Sequence, residues 1–407
     1  MARQVATAVV MLGALSGVAG GARSQTPPAP AALPSTLAPA APATVTLPTP
    51  GMAGSLAFSA VPNSVDVGPL GKWYVDGVLS GLGLVQSNHV ASDTNAAADM
   101  SNGQVIIQKI DGIVQFYAQI GAYAIPALGT QYSHLTDTSD ALNNFYGPVP
   151  QGFLKIAPTN TFSIEAGKLP TLIGAEYTFT FENFNIERGL LWNQEPAVSR
   201  GVLGNYTLGP VAFSLSLNDG YYSGRYNWVS GSATWTINSS NTLAFAAGGN
   251  LGKTGYSTLA TPLAQNNSSI YNLIYTYNAA PFTITPYFQY SHVPANQSIG
   301  LVTSASSYGG AILANYAIND HWGLAGRIEY ISTSGNSSNP LSTNLLYGPG
   351  SEAFSATITP TFTYNHFFAR ADVSVVDITS LVAGFGFGVN GTARTQVRGL
   401  LEAGVIF

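Results

Sequence analysis

The sequence predicts an all-β protein, a transmembrane antiparallel up-and-down β-barrel of about 16 strands (14–18). Three observations carry that expectation. The last thirteen residues, Thr395 to Phe407, alternate strictly: Val397, Gly399, Leu401, Ala403, Val405 and Phe407 fall on one face, and Gln396, Arg398, Leu400, Glu402, Gly404 and Ile406 on the other. Charged residues make up only 8% of the 407-residue chain, against roughly 25% in ordinary globular domains, yet mean hydropathy is +0.18 and no long apolar run offers a helical membrane span. A barrel reconciles these facts, because every second residue meets lipid while its neighbours stay polar. Finally, the connections between strand-like segments alternate between short and long along the whole chain.

The N-terminus reads as an export signal, residues 1–24. Arg3 supplies a positive start, Val5 to Val18 is apolar, and Gly20-Gly-Ala22 or Ala22-Arg-Ser24 offers small residues for cleavage. The apolar run falls short of the ~20 residues a helical span needs. Residues 25–65 follow as a Pro/Ala-rich periplasmic linker. Between 26 and 50 the chain holds eight prolines, seven alanines and no charge, a composition that cannot build a core. Either a cell-wall-binding tail or an inert spacer fits this stretch.

From 66 to 407 the chain reads as the barrel. Sixteen segments alternate in polarity: 73–85, 103–110, 113–124, 151–157, 161–168, 200–208, 211–218, 227–237, 242–250, 269–278, 282–291, 306–317, 322–331, 352–363, 367–376 and 395–407. The clearest is Phe282 to Tyr290, with Phe282, Ile284, Pro286, Phe288 and Tyr290 opposite Thr283, Thr285, Tyr287 and Gln289. Pro286 and Pro360 lack ladder donors and weaken their segments locally. Tight turns such as Asp111-Gly112 and Gly209-Pro210 alternate with long connections at 86–102, 125–150, 169–199, 219–226, 251–268, 292–305, 332–351 and 377–394. That segregation is expected of a barrel with short periplasmic turns and longer outer loops, both termini lying in the periplasm. Aromatics gather at the predicted interfaces: Trp73, Tyr277, Phe282, Trp322, Tyr364, Phe367 and Phe407 at one end, Tyr226, Trp228, Tyr290 and Tyr330 at the other.

Composition also excludes function classes. A net charge of −5 without a Lys/Arg patch argues against nucleic acid. Zero cysteines removes disulfides, a lipoprotein anchor and thiol chemistry. The five histidines (His89, His134, His292, His321, His366) are scattered over loops and turns, so neither a hydrolase dyad nor a metal site is expected. Gly384-Phe-Gly-Phe-Gly388 is followed by no helix and is no nucleotide fingerprint. The sequence predicts no enzyme and no cofactor.

Residues from about 65 to 407 resemble the OmpL-like outer-membrane β-barrel porin family of Gram-negative bacteria. The resemblance is carried by Gly167-Lys-Leu-Pro-Thr171, Gly174-Ala-Glu176, Asn218-Asp-Gly220 and the terminal Phe407. It implies a pore for small hydrophilic solutes in the outer membrane, surrounded by lipid and lipopolysaccharide, with Phe407 as the signal read by the barrel assembly machinery. A homotrimer is within what such an architecture allows.

In sixteen-stranded porins the third outer loop folds inward and narrows the lumen, so the resemblance directs attention to 169–199. This is the longest connection, and Lys168, Glu176, Glu182, Glu187, Arg188 and Glu195 lie on it or at its edge. Its apolar residues (Leu172, Phe179, Phe181, Phe184, Leu190, Leu191, Trp192) offer anchors to a wall. A surface loop over the outer mouth is the alternative. Arg327, Arg370 and Arg398 share the lumen parity of the last strands, so acidic loop and basic wall would set up a transverse field. Equally, Glu329, Asp372 and Glu402 share that parity and would pair locally. Three functions remain open: passive diffusion, a substrate-specific channel, and a closed structural or adhesive barrel. For the second, Tyr117, Tyr287, Gln108, Gln115, Gln119 and Gln289 would hold carbohydrate.

Overall fold

The structure is a computed structural model that describes residues 56, 62–91, 93–133, 145–339 and 341–407. The export signal and almost all of the 25–65 linker lie outside the described residues, as does His134.

A short strand β1 (Asn63–Asp66) precedes sixteen longer ones: β2 (Lys72–Gln86), β3 (Ala96–Lys109), β4 (Val114–Tyr123), β5 (Gln151–Ile156), β6 (Phe162–Pro170), β7 (Val198–Leu208), β8 (Val211–Asn218), β9 (Trp228–Asn238), β10 (Asn241–Asn250), β11 (Ser269–Ala279), β12 (Phe282–Val293), β13 (Ala305–Ala317), β14 (Trp322–Thr333), β15 (Glu352–Tyr364), β16 (Phe367–Ile378) and β17 (Thr395–Ile406). Each of β2 to β17 pairs antiparallel with the next, and β17 returns to β2, from Arg398 opposite Gln86 to Ile406 opposite Val78. The sheet therefore closes into a sixteen-stranded barrel with no free edge. All sixteen expected segments are strands. β3 begins seven residues before the segment the alternation marks, where Ala96, Ala97 and Ala98 have no polarity contrast to display.

Alternation works as the pattern demands. In β12 Phe282, Ile284, Phe288 and Tyr290 are exposed on the outside, while Thr283, Thr285, Tyr287 and Gln289 are buried inside. The β11–β12 ladder skips Pro286 and the β15–β16 ladder skips Pro360, as the missing N–H requires. At the seam, the Phe407 N–H donates to Gly77 O (3.0 Å) and the Gly77 N–H to Phe407 O (2.9 Å). A Cβ on Gly77 would lie 2.5 Å from the Phe407 ring, so the terminal aromatic rests on the bare backbone of β2. One aromatic departs from its expected place. Trp228 is 1% exposed and faces inward against Tyr221, ring centroids 5.5 Å apart.

Candidate functional site

The third long connection, from Thr171 to Ala197, lies against the inward-facing side chains of the barrel. Its apolar residues build a core there. Phe184, Leu190 and Leu191 cluster with Ile274, Leu313, Ile331 and Val376 from β11, β13, β14 and β16. Phe179 and Phe181 join Val78, Ile106, Tyr117, Phe368 and Ile406. Ile186 packs with Leu82, Leu84 and Leu400. These inward aliphatics break the polar-inside rule for a water-filled barrel, and the loop explains why: they face protein, not water.

Charges fix the loop to the wall. Glu176 receives Arg327 Nη1 at 2.6 Å, and the same guanidinium pairs with Glu329 at 3.3 Å and donates to Glu187 O at 2.7 Å. Glu187 accepts from Arg398 Nη1 (2.8 Å) and from Ser374 (3.0 Å). Arg370 binds Glu402 (2.7 Å) and donates to Asn183 O (3.0 Å). Loop backbone amides complete the set. The Leu190 and Leu191 N–H groups donate to Glu329 (2.9 and 3.2 Å), and the Ile186 and Glu187 N–H groups to Asp372 (2.8 and 3.0 Å). A Cβ on Gly189 would sit 2.1 Å from a Glu329 oxygen, so glycine there permits this approach. Gly174, at φ 81°, likewise leaves room for the Glu195 carboxylate, which a Cβ would meet at 1.6 Å.

The charged candidates thus divide. Glu176, Glu187, Arg327 and Arg398 come together with Glu329, and Arg370 sits with Glu402. They are in contact, not facing one another across a gap. Arg188 donates to Pro126 O (2.6 Å) and lies 5.7 Å from the Trp192 ring. Its burial, outweighing nearby carboxylates, pulls its guanidinium down to about 10. Glu182 accepts the Phe179 N–H (3.0 Å), while its other oxygen has no partner. Burial pushes this carboxyl up to about 8, partly offset by that amide. Lys168 is not in the cluster; it donates to Tyr146 O (3.0 Å) and Val149 O (2.8 Å). The carbohydrate candidates other than Tyr287, whose buried hydroxyl has no partner, are engaged within the protein. Tyr117 donates to Gln119, Gln119 to Gln104, and Gln289 to Leu191 O. Tyr117, Tyr287, Gln108, Gln119 and Gln289 are buried.

Sequence reasoning missed the neutral anchors: Asn102 to Thr180 (2.6 Å), Asn185 to Thr359 (2.6 Å) and the Gly174 N–H to Asn272 (3.1 Å). The inward aliphatics were the signal that could have found the contact face. No group of three or more metal-ligating side chains occurs among the described residues. His292, expected in a loop, lies on β12, and its Nδ1 is 2.9 Å from Ser306 Oγ of β13. Both residues share the parity of outward-facing Tyr290 and Tyr308, so the pair sits off the lumen.

A family model described as "Putative beta-barrel porin-2, OmpL-like" matches residues 72–407. No curated protein sequence matches the chain. Among solved structures, OmpT of Vibrio cholerae is similar at 12% identity and a TM-score of 0.54, covering 83% of this chain and 98% of that one. A trimer form of in-vitro folded OmpT gives 11% and 0.51, over 82% and 99%. The outer membrane channel DcaP of Acinetobacter baumannii gives 10% and 0.53, over 82% and 97%. At these identities the likeness is one of fold.

Proposed function

The chain belongs to the OmpL-like β-barrel porin family, and from that premise we propose that its loop Thr171–Ala197 forms the constriction of the pore. The protein is an outer-membrane porin for passive diffusion of small hydrophilic solutes. The observation that carries the proposal is the ring of contacts from this loop to inward residues of β2, β11, β13, β14, β16 and β17. In this reading Glu176, Glu187, Arg327, Arg370 and Arg398 hold the constriction in place, and Arg188 braces it against Pro126. Glu182, Glu195 and Lys168 shape the loop and its edge. Residues 1–24 act as the export signal and 25–65 as a periplasmic linker. Phe407 is what the assembly machinery reads, and lipid with lipopolysaccharide surrounds the barrel. The trimer form of OmpT supports a homotrimer here. Catalysis has no place in this reading.

Planar-bilayer recording tests it. Deleting residues 177–193 should give discrete steps larger than those of the full chain. Equal steps from both would place the constriction elsewhere, and a silent full-length barrel would end the channel reading.

A further inference from the structure

The inward arginines of β14–β17 pair with Glu329 and Glu402 of those strands and with Glu176 and Glu187 of the loop, and Glu182, Arg188 and Glu195 are buried beside them, so something else must face the passing solute. The six consecutive strands β8 to β13 contain no Asp, Glu, Lys or Arg. On part of this arc, and on β7 beside it, the inward residues are small and hydroxylated or amidic, and several are only half-buried, among them Asn205 of β7, Ser232, Thr236 and Thr242. On the opposite arc Arg327, Glu329, Asp372, Arg398 and Glu402 are at most 2% exposed. Ser214, Ser216, Ser230 and Thr234 line the same face at 4–6% exposure, and the hydroxyls of Ser232 and Thr234 are buried without a protein partner. The loop residues that are not buried are Thr171, Tyr177, Trp192 and Asn193, all uncharged. Between the two ends of the loop and this wall a cavity of about 10 Å³ remains, bounded by Thr171, Leu172 and Pro196 on one side and Ser216, Trp228 and Ser230 on the other. That is room for about one water.

We propose that solutes cross along the β7–β10 wall, past Asn205, Ser214, Ser216, Ser230, Ser232 and Thr234, and that the porin thereby selects uncharged polar solutes, with polyhydroxylated molecules the best-fitting class. The inference rests on the porin reading and deepens it. Hydroxyls and amides replace the hydrogen bonds such a solute gives up on entering a narrow passage. An ion entering the same passage sheds hydration and meets no fixed countercharge on β8 to β10; the charges nearest the path, Lys155 and Glu165 beside Asn205, pair with each other at 3.6 Å. At the narrow point the loop ends must shift to admit anything larger than water, and the neutral wall stays in place while they do.

The chain has no cysteine, so a single introduced thiol reports its own surroundings. Ser232→Cys and Thr236→Cys place it on the proposed path; Ala325→Cys, 3% exposed and packed under the loop, is the control. The probe is a negatively charged methanethiosulfonate reagent added to full-length channels in a planar bilayer. Conductance of either path variant should fall by roughly half or more and become cation-selective, with the control unchanged. Block of the control with both path variants indifferent would overturn the proposal while leaving the porin reading standing. Absence of conductance from the unaltered protein would overturn both. Proteoliposome swelling adds the solute itself: a neutral hexitol should enter faster than a sugar acid of equal size, and the reverse order would refute the selectivity claimed.

Discussion

Arg327→Met removes the cation that Glu176 and Glu329 share. The guanidinium is 1% exposed, touches Glu176 at 2.6 Å and Glu329 at 3.3 Å, and also donates to Glu187 O and Thr357. Methionine keeps much of the volume, so the loss is electrostatic: two buried carboxylates are left adjacent without compensation. Breaking a buried pair in this way costs about 3–5 kcal/mol. The barrel ladder is not involved, so the cost falls on the packed state of the loop. An equilibrium between packed and released loop would shift by a factor of roughly 10² to 10⁴. Limited proteolysis of the folded protein within 171–197 reads that shift directly, since cleavage follows the open population when opening is fast. The variant should be cut far faster than the parent, and Glu176→Gln added to it should restore part of the protection by removing one stranded charge. Unchanged protection, or a double variant cut as fast as the single one, would refute the clamp.

Deleting Phe407 should lower the yield of folded barrel in the outer membrane without affecting export, because its ring covers Gly77 and its backbone closes the seam; heat-modifiability on gels reads this. Phe245→Arg, on the exposed outer face, should impair assembly by ~2–4 kcal/mol, whereas Ala244→Arg on the inner face should be tolerated; equal yields would put the parity in error. Glu182 offers a pH test. Its carboxyl is pushed up to about 8 when the loop is packed, so the packed state favours the proton. Anchoring is complete below the ordinary glutamate range near 4.5 and weakens as pH rises through about 8. Proteolysis of the loop should therefore accelerate as pH rises from about 4.5 to about 8 and level off above that, and Glu182→Gln should flatten that dependence.

The frame of the barrel was legible because its periodicity is enforced residue by residue: lipid penalises charged side chains, and an all-antiparallel ring closes only with an even number of strands. Thus Thr285 and Ile284 declare their faces through the alternation of their own strand. The inside is a different matter. Leu313, Ile331 and Val376 look like violations of the pattern until the loop that covers them is placed, and their partners lie more than a hundred residues away in sequence. Trp228 misled for the same reason, since a tryptophan at a strand end fits a membrane interface as well as a packed lumen. The arginines Arg327, Arg370 and Arg398 were identifiable by parity, but their partners were not. Both the loop carboxylates and Glu329 or Glu402 were within reach, and the structure uses both kinds. Gly189 carries no local signal at all; its need arises from one carboxylate of β14.

Selectivity follows from where the charges lie: Arg327, Arg370 and Arg398 held by carboxylates of the loop and the strands, with the proposed neutral wall facing the solute. The zero-current potential of the unaltered protein across a salt gradient in a planar bilayer tests this most directly. Discrete conductance steps with a potential close to that of free diffusion are the predicted result. A strongly cation-selective potential at low salt, collapsing at about 1 M where screening reaches ~3 Å, would mean that Glu176, Glu182 and Glu187 face the passage, and would contradict it.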